Sequence, residues 1–200
     1  MERGSQLLFY ILGDRAMPAF KLIVFILASI GIVYISRLSL PHPRTHGFYR
    51  FFAWEAILAL ALLNIDHWFD DPFSPWQIVS WLFLVVSLFL VIHSVQLLRL
   101  VGKPDQQRHG EALLGVEKTS QLVTTGAYRY IRHPMYSSLL FLAWGIFFKL
   151  PSLIGGILVL IASIFLVLTA RAEEVENIRY FGNGYVEYMR KTKMFVPYLF

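Results

Sequence analysis

The sequence predicts an all-α polytopic membrane protein with about five transmembrane helices, a C-terminal helical hairpin and a polar pocket on the cytoplasmic side. Three observations predict it. Of the 200 residues, 56% are hydrophobic and only 16% charged, far from the balance of a soluble domain. The apolar residues fall in runs close to the ~20 that a helix needs to cross a bilayer. The basic residues gather between those runs, mostly on one side. That placement accounts for the net charge of +5 better than nucleic-acid binding does, which would call for one exposed basic stripe. There is no cysteine, so disulfides and thiolate sites are excluded. The histidines offer no H-x-x-x-H pair on one helix, and no metal site is expected.

Residues 1–16 are mixed and suit an interface, and no signal-peptide pattern interrupts the reading, so the first span is expected to stay in the mature protein. Leu22 to Ser36 is that span. Pro41-His42-Pro43-Arg44-Thr45-His46-Gly47 is a turn-rich basic linker, with His42 and His46 as loop histidines. Phe51 to Asn64 or Phe69 forms the second span, which Asp66, Asp70 and Asp71 close on its far side. Trp76 to Leu100 is the third, opened by interfacial tryptophans. Residues 101–133 are a polar loop carrying Lys103, Arg108, Lys118, Arg129 and Arg132. Pro134 to Phe148 and Ser152 to about Glu176 form the hairpin, and 177–200 a charged, aromatic tail. The basic residues put the loop, tail and C-terminus inside. The chain then reads as one membrane domain over 1–200, with no internal repeat.

The densest polar and aromatic stretch is Gly126-Ala127-Tyr128-Arg129-Tyr130-Ile131-Arg132-His133-Pro134-Met135-Tyr136. Proline suits the first turn of a helix, so Arg132 and His133 stand at a helix start, where free N–H groups and the dipole favour a polar ligand. The fourth helix spans about 22 Å and Ser152 to Glu174 about 33 Å. With their outer ends tied by the 149–151 turn, Arg132, His133 and Tyr136 are expected about 10 Å deeper than Glu173 and Glu174. The expectation is a notch lidded by the tail from Phe181 to Tyr188. Glu55 and His93, each about one turn inside a span, either pair structurally (Glu55 with His93 or Arg99) or line a substrate path.

These residues resemble the integral-membrane isoprenylcysteine carboxyl methyltransferases and related phospholipid methyltransferases. The resemblance rests on Leu122 to Tyr136, then Arg171-Ala172-Glu173-Glu174, Phe181-Gly182, Tyr185, Tyr188 and Pro197, and covers about residues 120–198. Ser138 stands where the family often has glycine, and Asn183-Gly184 where acidic residues are common. The resemblance implies S-adenosylmethionine as methyl donor, held by Gly126, Tyr128, Arg132, His133, Pro134, Tyr136, Glu173, Glu174 and Tyr185. It also implies a lipid-like acceptor, an isoprenylcysteine-like carboxylate or phospholipid-type amine, drawn from a bacterial inner membrane or endoplasmic reticulum. Arg129 or Arg132 could orient a carboxylate acceptor, while an amine would need a base such as Glu55 or His93. Methyl transfer demands alignment and desolvation above all, so the lack of a nucleophile constellation is no objection.

Taken singly, Arg132-His133 would read as a positive-inside anchor, Glu173-Glu174 as a solvated helix end and the tyrosines as an interfacial belt. Their joint order argues for the site. The alternatives are an NADPH-dependent sterol-type membrane reductase and a non-catalytic membrane scaffold. Against the reductase stands Arg-Ala-Glu-Glu in place of an Arg-Asp-Glu-type run. The acceptor's identity and the oligomeric state are not legible.

Overall fold

The computed structural model describes residues 2–103 and 119–199, with side chains from residue 19 onward. Arg108 and Lys118 of the polar loop lie outside the described residues. Six α-helices follow in order: α1 (Glu2–Ser36), α2 (His46–Asn64), α3 (Pro75–Leu100), α4 (Pro134–Phe147), α5 (Leu153–Phe181) and α6 (Asn183–Lys191). Short 3-10 turns stand at Ile65–His67 and Gly126–Arg129. Among the described residues, four stretches are long and apolar enough to cross a membrane: Ala19–Ser36, His46–His67, Pro75–Leu100 and Leu153–Phe181. With 14 residues, α4 is the fifth apolar helix. It reaches about 21 Å, short of a bilayer's hydrocarbon core of ~30 Å.

Local chemistry sets the helix starts. Thr45, Ser74 and Ser152 accept hydrogen bonds from the backbone N–H groups of Phe48, Gln77 and Gly155, each an N-cap that satisfies an otherwise free donor. Proline occupies the first turn of α3 and α4. Gly182, with φ 62°, ends α5 in a conformation open to glycine at no steric cost. Beginning at His46, α2 starts five residues before the apolar run does, because the Thr45 cap admits polar residues into the first turns. At the other end of the hairpin, α5 continues past Glu176 to Phe181.

Helix α2 packs on α5 and α3 on α4, while the α4–α5 hairpin joins the two pairs and α1 lies against α2. Small residues make these approaches possible. Ala56, Ala143 and Ala162 meet Leu60, Ile146 and Val159 in one buried cluster. Ala53 and Ala170 meet Tyr136, Leu166 and Phe195 in another. A Cβ on Gly145 would come within 3.0 Å of Leu84, so α3 and α4 touch almost backbone to backbone. Hydroxyls reinforce this contact, as Ser80 donates to the carbonyl of Gly145 and Ser87 to that of Ser138, each at 2.7 Å. Small residues and interhelical hydrogen bonds are the usual means of holding helices together where lipid replaces water. Leu22, Leu27, Ile30 and Tyr34 of α1 stay largely exposed, an apolar face suited to lipid.

Candidate functional site

The chain approaching α4 is fixed by the tail. Residues 130–133 pair with 193–194 through backbone bonds, among them Arg132 N–H to the carbonyl of Lys193 at 2.8 Å and His133 N–H to that of Met194 at 3.2 Å. Ser137 Oγ donates to the carbonyl of Phe195 at 2.8 Å, and the Phe195 ring is buried. The start of α4 is thereby clamped before any charged group is placed.

Arg132 and His133 then meet the two glutamates of α5. Arg132 Nε donates to Glu174 Oε1 at 2.7 Å, and its Nη1 reaches the carbonyls of Met189 and Thr192 at the end of α6. His133 lies between the carboxylates, Nε2 3.3 Å from Glu174 and Nδ1 3.5 Å from Glu173. Its ring stacks on Tyr136 at 5.6 Å. Burial disfavours the charged imidazolium, yet the hydrogen bonds and charges of Glu173 and Glu174 outweigh it and raise the pKa above the ordinary value. Direct contact also corrects the expected 10 Å offset. From the Trp144–Ser163 hydrogen bond, His133 lies eleven residues back along α4 and Glu174 eleven residues forward along α5. The helices therefore deliver them to one level, and the surplus length of α5 runs past the site as its wall.

Adjacent residues on a helix point about 100° apart, and this separates the glutamates. Buried Glu174 is taken up by Arg132 and His133, whereas Glu173 faces a cleft. There it accepts from Asn177 at 3.4 Å and interacts with the Tyr136 hydroxyl. The cleft is lined by polar Glu173 and Asn177 of α5, by apolar Leu98, Leu122 and Met135 from α3, the loop and α4, and by Tyr185 and Tyr188 of α6. Its enclosed volume is about 60 Å³, and with the open mouth the space reaches about 570 Å³. Burial pushes the hydroxyls of Tyr185 and Tyr188 well above the ordinary phenol range. They stay neutral and serve as ring faces and donors, as when Tyr188 donates to the Tyr128 carbonyl at 2.6 Å.

Of the residues singled out in the sequence, Tyr128, Arg132, His133, Tyr136, Glu173 and Tyr185 line this cleft, with Glu174 directly behind it. Five others do not line it. Arg129 is exposed and lies over the Tyr130 ring, on the far side of Arg132. Pro134 is fully buried in the first turn of α4. Gly126, at φ 60°, presses on α3 so closely that a Cβ would fall 2.6 Å from His93 and Leu97. Glu55 lies between α1 and α2, accepting from Ser29 Oγ at 2.7 Å. His93 instead takes the N–H of Ala127 at 3.3 Å and stacks on Phe89. No Glu55–His93 pair forms, because α2 packs on α5 and α3 on α4. Asn177 and the apolar lining were not foreseen. Asn177 is four residues after Glu173 and so on its face of α5, a spacing that was there to be read.

The family model for phospholipid methyltransferases matches residues 76–183, which takes in α3, the whole hairpin and the cleft's glutamates. Methanethiol S-methyltransferase from Pseudomonas deceptionensis is 28% identical over 165 residues. That match covers 74% of the chain and 59% of the relative, so the chain spans about three-fifths of the length of the curated relative it matches. No solved structure matches.

Proposed function

The chain belongs to the phospholipid methyltransferase family, and from that premise we propose that it transfers a methyl group from S-adenosylmethionine to an acceptor dissolved in the membrane. The observation that carries the reading is Glu173, a carboxylate held by His133 and Asn177 yet turned into a cleft that tyrosine rings and apolar side chains also line. When bound, the cofactor supplies an electrophilic methyl on a cationic sulfur, together with a cationic amino group.

The donor set suits such a molecule. Glu173 would hold the amino group by a charge-assisted bond. The rings of Tyr136 and Tyr185 offer π faces to the sulfonium. Arg132 and His133 already spend Nε, Nη1 and both ring nitrogens on protein partners. Their part would be to hold the glutamates in place. The enclosed part, about 60 Å³, is well below the ~150 Å³ cavity that admits benzene, so most of the cofactor would lie in the open mouth, with which the space reaches about 570 Å³.

Leu98, Leu122 and Met135 would shelter the acceptor and exclude water from the reaction. An apolar molecule with a thiol, amine or carboxylate fits that lining, whether lipid-like or as small as the methanethiol named for the relative. Transfer would join the methyl carbon to an acceptor atom that carries a free lone pair, a thiolate, unprotonated amine or carboxylate whose proton has already gone to solvent, while the carbon–sulfur electrons return to the sulfur. Arg129 and Glu55 do not line the cleft and are given no part in this reading. The cytoplasm, where such a cofactor is made, would be the side the cleft faces.

Calorimetric titration of the detergent-purified protein with S-adenosylmethionine and with its demethylated product tests the reading. Binding should be detectable and weakened at least tenfold by Glu173→Ala. Absence of binding, or wild-type affinity in the variant, would sink it. Labelled cofactor supplied with methanethiol or with membrane lipid extract then distinguishes the acceptors.

A further inference from the structure

On the face of Arg132 turned away from the cleft, Arg129, Arg190, Lys191 and Lys193 surround a second concavity, of about 470 Å³. All four side chains are exposed, and among the described residues no carboxylate pairs with any of them. Nor does the end of α6 require them, since Arg132 Nη1 already takes the carbonyls of Met189 and Thr192. Four cations thus converge on one hollow, and no carboxylate among the described residues neutralises them.

Position and rim point to the occupant. The hollow hangs on residues 129–132, immediately before the 14-residue α4, whose start lies about 21 Å from its outer end. A hydrocarbon core is ~30 Å thick, so a hollow at the start of so short a helix is recessed toward the membrane and not held out in solution. Tyr130 and Tyr198, with ring centres 6.3 Å apart, and Leu199, 79% exposed, stand beside the cations. Aromatic and apolar side chains next to lysine and arginine are what an interface between acyl chains and phosphates selects.

We propose that this concavity binds the phosphate of a net-anionic phospholipid headgroup in the leaflet it faces. The proposal is independent of methyl transfer, because its evidence and its readout are lipid binding alone. Arg132 is the wall shared by the hollow and the cleft, so a bound headgroup would lie one guanidinium away from Glu174.

Native mass spectrometry of the full chain in detergent, with graded phosphatidylglycerol, phosphatidylcholine or inorganic phosphate, tests it. Phosphatidylglycerol should be retained in preference to phosphatidylcholine. Arg190→Gln/Lys193→Gln should weaken that retention roughly twentyfold, and Arg129→Gln, on the opposite wall and outside α6, about fivefold. The charge-matched control Arg37→Gln/Arg44→Gln, at the same end of the bundle, should change it less than twofold. Equal retention of the two lipids, or equal losses in the two double variants, would overturn the site. Inorganic phosphate held as tightly as phosphatidylglycerol would overturn the lipid assignment and make free phosphate the ligand.

Discussion

The two ends of the α4–α5 hairpin each bury a cation, and they hold it by opposite means. At the turn end, Lys149 Nζ sits 2.9 Å from Gln77 Oε1 and 3.6 Å from the centre of the Trp81 ring, with Trp68 at 5.2 Å. At the cleft end, Arg132 and His133 lie against two carboxylates. Burial acts in the same direction on both, disfavouring charge. It prevails at Lys149, whose pKa is lowered, and is outweighed at His133, whose pKa is raised. An amide and two ring faces close the first site completely. Carboxylates have more acceptor capacity than two cations consume, and the surplus at Glu173 is what the cleft exposes. The contrast separates a charge that only stabilises from a cluster with valence left over for a ligand.

If that contrast is sound, removing one member should matter far more at the cleft end. Glu174→Ala leaves Arg132 and His133 facing an apolar gap. Breaking such a pair costs about 3 kcal/mol, expected as a marked drop in the unfolding midpoint in detergent. A variant as stable as the parent would show that the glutamates are surface decoration. Gly126→Ala comes next. It forces a Cβ into His93 and Leu97 at a positive φ, costing about 2 kcal/mol, and should loosen the 126–133 segment that carries Arg132. Unchanged stability there would mean that the cleft end does not depend on its packing against α3.

Much of this was legible in the sequence, and the reasons it stopped being so are specific. Ser152 and Pro134 announce helix starts because capping and a locked φ are local matters. The membrane setting follows from run length and charge placement. The true start of α2 was hidden because His46 and Arg50 look like loop residues, and only Glu176 of α5, 2.6 Å from His46 Nδ1, explains a polar group there. Glu173 and Glu174 could be named as a pair but not told apart, since which one faces the cleft depends on how α5 is rotated against α4. The same long-range packing decided Glu55 and Arg129. Both have the right chemistry, and both point elsewhere.

Two milder changes sharpen the comparison. Lys149→Met replaces the caged cation with an apolar chain of similar length and leaves no charge behind. It should cost about 1–2 kcal/mol, chiefly because the buried Gln77 Oε1 loses its donor. A loss as large as that of Glu174→Ala would erase the distinction between the two ends.

The smallest effect is expected from pH, because burial offsets much of what the carboxylates contribute at His133. A histidine whose folded pKa is raised above its ordinary 6.5 binds its proton more tightly in the native state. Its contribution is complete below that value and is lost as pH rises through the folded pKa. The unfolding midpoint should therefore fall as pH rises above about 6.5. Other histidines titrate in the same window, so the informative quantity is the difference between the parent and His133→Gln, which should have a flatter slope. If His133→Gln followed the parent instead, the proton would not reside between Glu173 and Glu174, and the cleft end would lose the feature that sets it apart from the turn end.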